Sequence, residues 1–253
     1  MKRKKIAVAN WKMNLNQPEA LKLALAIKDS LLSLSLTEIV ICPPALYLSE
    51  ISKIFSSTAI KIGSQNVYWE KEGAYTGEIS AAMLVGIVDY VICGHSERRE
   101  YFAETNDQVN KKAKAVLAEG LAPIICVGED IDAWRKGKID VVLDQVKESV
   151  GKMDPEKVEK AVIAYEPVWA IGSGNLATAD YANKICLQIR QLLGGIYSRD
   201  IAAKMRILYG GSVKGDNAAE FVEQSEIDGL LVGGASLKAE AFIDIVKRIN
   251  KIK

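Results

Sequence analysis

The chain of 253 residues predicts an α/β fold, a closed (β/α)8 barrel that forms one domain over residues 1–253. Three observations carry that prediction. Short β-branched apolar runs recur eight times, each nearly continuous instead of alternating, as in strands buried on both faces. Segments of helical periodicity separate them, with no Pro/Gly/Ser linker or shift in composition to mark a domain boundary. Polar or glycine-rich clusters follow the first, fourth, sixth, seventh and eighth runs. Eight parallel strands could also lie open as a doubly wound sheet, but only closure brings all five clusters to one mouth.

The first run is Ile6–Ala9, after a basic opening (Met1 to Lys5) and before Asn10 and Lys12. The apolar stretch ends at Asn10, too early for a signal peptide, so the opening reads as a solvated terminus. Pro18 opens a helical pattern running to Leu34, and the second run, Glu38–Cys42, is followed by the helix-starting pair Pro43 and Pro44. The third run, Ile60–Gly63, leads into a long connection, residues 66–79, rich in Tyr, Trp and Gly. Its length and aromatic content predict a self-association contact. The fourth run, Tyr90–Cys93, meets Gly94-His95-Ser96-Glu97, and helical periodicity returns over Asp107–Glu119 with a stop at Gly120.

The fifth run is Pro123–Val127, with a helix over Ile139–Val150 marked by Asp140 and Gly151. The sixth, Ala161–Tyr165, presents Glu166 and Pro167. An apolar stretch, Val168 to Ile171, and a Gly172-Ser173-Gly174 hinge come next, which reads as a lid that buries its apolar residues on closing. A helix over Tyr181–Leu193, stopped at Gly194 and Gly195, precedes the seventh run, Arg206–Tyr209, and its Gly210-Gly211-Ser212. The eighth, Gly229–Val232, ends at Gly233 and Gly234 ahead of a helix over Ala239–Ile249.

Composition narrows the function. Cationic residues number 33 against 32 acidic ones, so no global field recruits nucleic acid or an anionic membrane, and anion binding must be local. No apolar window approaches the ~18 residues of a membrane span. Cys42, Cys93, Cys126 and Cys186 are dispersed among Ile, Val and Leu with no C-x-x-C pair, which fits buried reduced thiols and an intracellular protein better than a metal or redox site.

At the predicted mouth, glycine pairs after the seventh and eighth runs leave backbone N–H groups unobstructed, which suits a phosphate. Lys12 can reach in as a point charge, and Asn10 can donate to a developing oxyanion. His95, the chain's one histidine, sits at a helix N-terminus whose dipole disfavours imidazolium and should hold the ring neutral. Desolvation should make Glu166 a better base than a free carboxylate.

These residues, as Ala9-Asn-Trp-Lys-Met-Asn14, Gly94-His-Ser-Glu-Arg-Arg99, Ala164-Tyr-Glu-Pro-Val-Trp-Ala-Ile-Gly172, Tyr209-Gly-Gly-Ser212 and Val232-Gly-Gly-Ala-Ser236, resemble the triosephosphate isomerase family from Ile6 to Val246. That family is the standard illustration of a glutamate base beside a neutral histidine electrophile. The resemblance implies cofactor-free interconversion of dihydroxyacetone phosphate and glyceraldehyde 3-phosphate through an enediolate, in cytoplasmic glycolysis and gluconeogenesis, with no metal. It assigns Glu166 as base, His95 as proton shuttle, Asn10 and Lys12 to the carbonyl and phosphate, and Glu97 to the positioning of Lys12. Backbone donors would come from Gly172, Ser212, Gly233 and Gly234. A homodimer through the 66–79 loop is implied as well. Leu15 stands where the family usually has Gly, and Ser173 and Asn175 depart from its Thr-Gly-Lys hinge.

A Schiff-base aldolase, with a strand-end lysine as nucleophile, and a non-catalytic phosphate-binding barrel are the competing readings.

Overall fold

A computed structural model describes residues 3–32, 34–171 and 177–252. Eight strands, β1 (Lys5–Asn10), β2 (Thr37–Cys42), β3 (Lys61–Ser64), β4 (Tyr90–Cys93), β5 (Ala122–Val127), β6 (Val162–Tyr165), β7 (Arg206–Tyr209) and β8 (Gly229–Val232), pair in sequence order into a closed barrel. All ladders are parallel, and β1 closes the ring against β8 with Ala9 opposite Val232. Each strand falls within a residue or two of its apolar run.

The continuous hydrophobicity follows from the two burial surfaces of each strand. Alternate residues such as Ile6, Val8, Val40, Ile92, Ile124, Ala164 and Leu208 fill the barrel interior. Their neighbours, such as Ala7, Ile41, Val91, Ile125, Ile163 and Ile207, pack outward with the helices. The four cysteines are buried and free, as expected, and burial raises each thiol above its ordinary value, Cys93 to about 12.

Near the N-terminal ends of the strands, polar side chains close the interior. Arg206 Nη2 donates to Tyr90 Oη at 2.7 Å, Tyr90 donates to Glu38, and Arg206 lies 3.3 Å from Glu38. The opposite, C-terminal rim is left for the chemistry.

Helix signals in the sequence mostly agree with the structure. Pro18 sits in the first turn of Gln17–Leu31 behind an Asn16–Glu19 capping box, and Gly120 follows Asn106–Ala118 with φ +80°. Pro43 and Pro44 lead into a 3₁₀ turn, Ala45–Tyr47, and the helix Leu48–Phe55. Gly194 and Gly195 do not stop their helix, which runs Ala179–Ile196 through both. Tertiary contacts outweigh the roughly 1 kcal/mol each glycine costs: Ile196 and Tyr197 pack on the core, and the Tyr197 hydroxyl donates to Val150 O at 2.5 Å.

Candidate active site

The C-terminal rim gathers Asn10, Lys12, His95, Glu166, Ser212, Gly233 and Gly234 around one cavity of about 470 Å³. Glu97 does not line it but contacts Lys12, with Glu97 Oε1 at 2.6 Å from Lys12 Nζ. Gly172, the remaining residue assigned to the site, lies outside the described residues, as do Ser173, Gly174 and Asn175.

His95 is placed by Gly94, whose φ is +73° and where a Cβ would lie 2.7 Å from Val109 and 2.9 Å from Arg99. A side chain there would be both strained and crowded. The chain then turns into the helix Ser96–Phe102, with His95 as its N-cap, and His95 Nδ1 accepts the amide N–H of Glu97 at 3.2 Å. An acceptor at Nδ1 puts the hydrogen of a neutral ring on Nε2. That Nε2 faces Glu166 Oε1 at 3.0 Å.

Glu166 leaves the end of β6 and is 2% exposed. Its second oxygen, Oε2, accepts the Ser96 amide N–H at 2.9 Å. Burial is the largest influence on both members of the pair and acts as the sequence implies, raising the carboxyl and lowering the imidazole. Mutual contact outweighs it. His95 and the Ser96 hydrogen bonds hold Glu166 below its ordinary value, and Glu166, aided by Glu97, holds His95 above its own despite Lys12. The sequence-based directions for this pair are therefore reversed, because two groups 71 positions apart in the chain touch.

Lys12 enters from the end of β1 with an unusual φ of +53°, and its Nζ lies 2.6 Å from Glu97 Oε1. Its side chain lies over Gly233: a Cβ at Gly233 would lie 3.3 Å from Lys12 Cε. Asn10, 4% exposed, accepts the Lys12 amide N–H through Oδ1 at 3.0 Å, leaving its NH2 as a donor group. Gly234 opens a 3₁₀ turn, Gly234–Leu237, rather than a longer helix, and Ser236 Oγ pins that turn to Gly233 O at 2.7 Å. Ammonium and glycine-lined turns thus face one another, the chemistry of an anion site.

Of the stretch read as a lid, the apolar part is described and the Gly172-Ser173-Gly174 hinge lies outside the described residues. Val168–Ala170 is a 3₁₀ turn in which Trp169 and Ala170 are buried. Trp169 is locked by Glu129, which receives the Trp169 Nε1–H at 2.8 Å and the hydroxyls of Tyr165 and Tyr181 at 2.9 and 3.1 Å.

Sequence reasoning missed four contributors. Ser96 holds Glu166 through its amide, Glu129 anchors the following turn, and Arg99 ties Gly94 O to Cys126 O at 2.8 and 3.1 Å. The fourth, Tyr209, carries a buried hydroxyl without a hydrogen-bond partner among the described residues. For Ser96 the helix-start position was a usable signal; the Trp169 contact of Glu129 and the Cys126 contact of Arg99 are long-range and have no local signature.

A closed (β/α)8 barrel with a histidine–glutamate pair at the C-terminal mouth, beside a lysine and glycine turns, defines a proton-transfer barrel with an anion site. A family model described as triosephosphate isomerase matches residues 5–249. A triosephosphate isomerase of Dictyoglomus turgidum is 51% identical over 247 residues, covering 97% of this chain and 99% of that protein. Those of Dictyoglomus thermophilum and Caldanaerobacter subterraneus subsp. tengcongensis are 49% and 48% identical, covering 97% and 96% of this chain and 99% of each relative. The chain belongs to the triosephosphate isomerase family.

Proposed function

We propose that this chain interconverts dihydroxyacetone phosphate and D-glyceraldehyde 3-phosphate by proton transfer through an enediolate. The observation that carries this reading is the contact of His95 Nε2 with Glu166 Oε1 at 3.0 Å in a cavity that also holds Lys12 and the Gly233-Gly234 turn. The phosphate binds to the backbone of Ser212, Gly233 and Gly234, with Lys12 as counter-charge and Glu97 fixing Lys12. Gly172 is assigned to the same group by family resemblance.

Substrate entry separates Glu166 from His95. Glu166 then removes a proton from the carbon beside the carbonyl, while His95 Nε2–H and the Asn10 NH2 stabilise the developing oxyanion. His95 moves a proton between the two oxygens, and Glu166 returns its proton to the neighbouring carbon. Substrate and product share one composition and the hydrogen travels as a proton, so the step calls for no cofactor and no metal.

The place of such a reaction is cytoplasmic glycolysis and gluconeogenesis. No described helix is long and apolar enough to cross a membrane. A homodimer through the 66–79 loop is supported by exposed apolar side chains around one side of the mouth. Met13 is 95% exposed and Leu46 83%, with Tyr75, Met83, Tyr101 and Phe102 open as well, all on connections after β1 to β4.

A coupled isomerisation assay tests the reading. Glu166→Gln should lower turnover by about 100-fold or more, the scale of a lost general base. Near-normal turnover in that variant defeats the assignment of the base, and a borohydride-trapped adduct on Lys12 would favour an aldolase.

A further inference from the structure

We infer that Arg99 is a positioning residue for His95: its guanidinium, bonded to the carbonyls of Gly94 and Cys126, fixes the peptide from which the imidazole hangs. This inference rests on the isomerase reading and adds to it a residue outside the lining of the mouth cavity.

Arg99 stands in the helix Ser96–Phe102, one turn after His95, and its amide N–H donates to His95 O at 3.2 Å. Its side chain turns back on the segment that precedes the helix. Nε donates to Gly94 O at 2.8 Å, Nη2 to Cys126 O at 3.1 Å and Nη1 to Asn106 Oδ1 at 2.5 Å. Gly94 O belongs to the peptide whose nitrogen is that of His95, and Cys126 lies in β5, the strand paired with β4. One planar group thus ties the backbone entering His95 to the neighbouring strand and to the first turn of the helix Asn106–Ala118. A lysine ammonium, a point donor on a flexible stem, cannot present that fixed fork.

The place of His95 matters most once substrate has entered. In the free enzyme Nε2 lies 3.0 Å from Glu166 Oε1, a contact that substrate breaks in the proposed reaction. The imidazole must then keep its Nε2–H on the substrate oxygen, guided by its own backbone and by the Glu97 amide on Nδ1 at 3.2 Å. That backbone leaves β4 through Gly94 at φ +73°, where the lack of a Cβ gives the chain its widest latitude. A separate cavity of about 670 Å³ borders Gly94, Ser96, Arg99 and Glu166, so this flank of the turn faces space and the bonds of Arg99 bear on where it sits. Those bonds go to Gly94, Cys126 and Asn106 and not to Glu166, so Arg99 restrains the imidazole while the carboxylate is free to leave it. Displacing a reacting group costs rate steeply, while Ser212, Gly233 and Gly234, on the turns after β7 and β8, keep their grip on phosphate.

The experiment uses the full chain with Arg99→Lys, alone and combined with His95→Gln. In the isomerisation assay Arg99→Lys should lose about 10-fold in kcat with KM within about twofold, the pattern of a displaced reacting group. Where His95 is already replaced, the same substitution should cost less than about twofold, because the group it positions is gone. Equal losses in the two backgrounds overturn the inference, as does an unchanged kcat in Arg99→Lys alone. A second readout needs no turnover. The chain has one histidine, so its imidazole NMR signal needs no assignment; Glu166, Glu97 and Lys12 are the charged groups facing it. Recorded above its titration, where the ring is neutral, that signal should move in Arg99→Lys, and a signal that stays at the parent position overturns the inference. If Arg99→Lys does not fold, Asn106→Ala carries the same test: it removes one acceptor, keeps the guanidinium and should lose about threefold in kcat, again only where His95 is present. A loss that is absent, or equal without His95, overturns the inference there too. A parent chain inactive on triose phosphates overturns the isomerase reading instead, and the imidazole signal then decides the role of Arg99.

Discussion

Gly128→Ala places a methyl group where the backbone carrying Glu166 already stands. The new Cβ would lie 1.7 Å from the Glu166 carbonyl oxygen and 2.7 Å from its carbon. Real Cβ contacts are essentially never under 3.0 Å, so one backbone must retreat by at least 1.3 Å. Gly128 is poorly able to do so, because Gln145 grips it twice, accepting its N–H at 2.8 Å and donating to its carbonyl at 3.1 Å. The shift falls on Glu166. A misplacement of that order costs roughly 100-fold in rate, and overpacking of this kind costs about 1–3 kcal/mol in stability. The assay is steady-state isomerisation beside thermal unfolding, with Gly195→Ala as a control for adding a methyl group. Gly195 is exposed in the helix Ala179–Ile196 with nothing within 4 Å of its Cβ position, so that variant should gain roughly 1 kcal/mol and keep its activity. A folded Gly128→Ala enzyme with turnover within about threefold of the parent would refute the claim that this backbone contact places the base.

Other expectations follow from the same geometry. His95 titrates above its ordinary 6.5 and Glu166 below its ordinary 4.5. The carboxylate's contribution to stability is therefore present above 4.5 and lost as pH falls through its lowered value. The imidazole's is complete below 6.5 and lost as pH rises through its raised value. Since the reaction uses ionised Glu166 with neutral His95, kcat/KM should rise with pH along a limb centred above 6.5, and Glu166→Gln should move the single imidazole NMR titration down; a parent resonance titrating at or below 6.5 would contradict this. Leu15 has φ +72°, the conformation that glycine adopts freely. Leu15→Gly and Leu15→Ala both remove its packing, but only Gly relieves the strain, so Gly should be the more stable of the two by about 0.5–1 kcal/mol after its larger chain entropy is counted. Thermal unfolding that ranks Ala above Gly would exclude strain at this position. Tyr209→Phe deletes a buried hydroxyl that has no partner among the described residues and should raise stability by about 1 kcal/mol in the free enzyme; a fall in Tm would mean the hydroxyl is paired.

The barrel was legible because each strand is buried on two faces and so writes a continuous apolar run, whereas the rim turns after β1, β4, β6, β7 and β8 write polar residues or glycine. Site membership was legible for the same reason: Asn10, Lys12, His95, Glu166, Ser212 and Gly233 follow strand ends, and parallel closure sends strand ends to one place. What the residues do to one another was not. The proton affinities of His95 and Glu166 reverse through a contact between β4 and β6, and no local pattern encodes a distance across the mouth. The partners of Trp169, Glu129, Trp134 and Tyr181, lie on three other segments and had no local signature. The glycine pair at 194–195 misled because local propensity is small beside the packing of Ile196 and Tyr197. Leu15 illustrates the opposite case: the departure from the family's glycine was visible, and its cost became visible only as a backbone angle.

The pairing of β1 with β8 has a bearing on how the molecule comes into being. Asn10 and Lys12 belong to the first strand end, and Gly233 and Gly234 to the last, joined where Ala9 meets Val232 and Ser236 Oγ reaches Asn10 O at 3.4 Å. During synthesis His95 and Glu166 leave the ribosome well before the turn that faces Lys12 exists. Until the final strand docks, the anion pocket is an incomplete ring and the acid–base pair has nothing to hold a substrate against it. The anion pocket is therefore completed only when β8 pairs with β1, the step that sets the Gly233-Gly234 turn against Lys12.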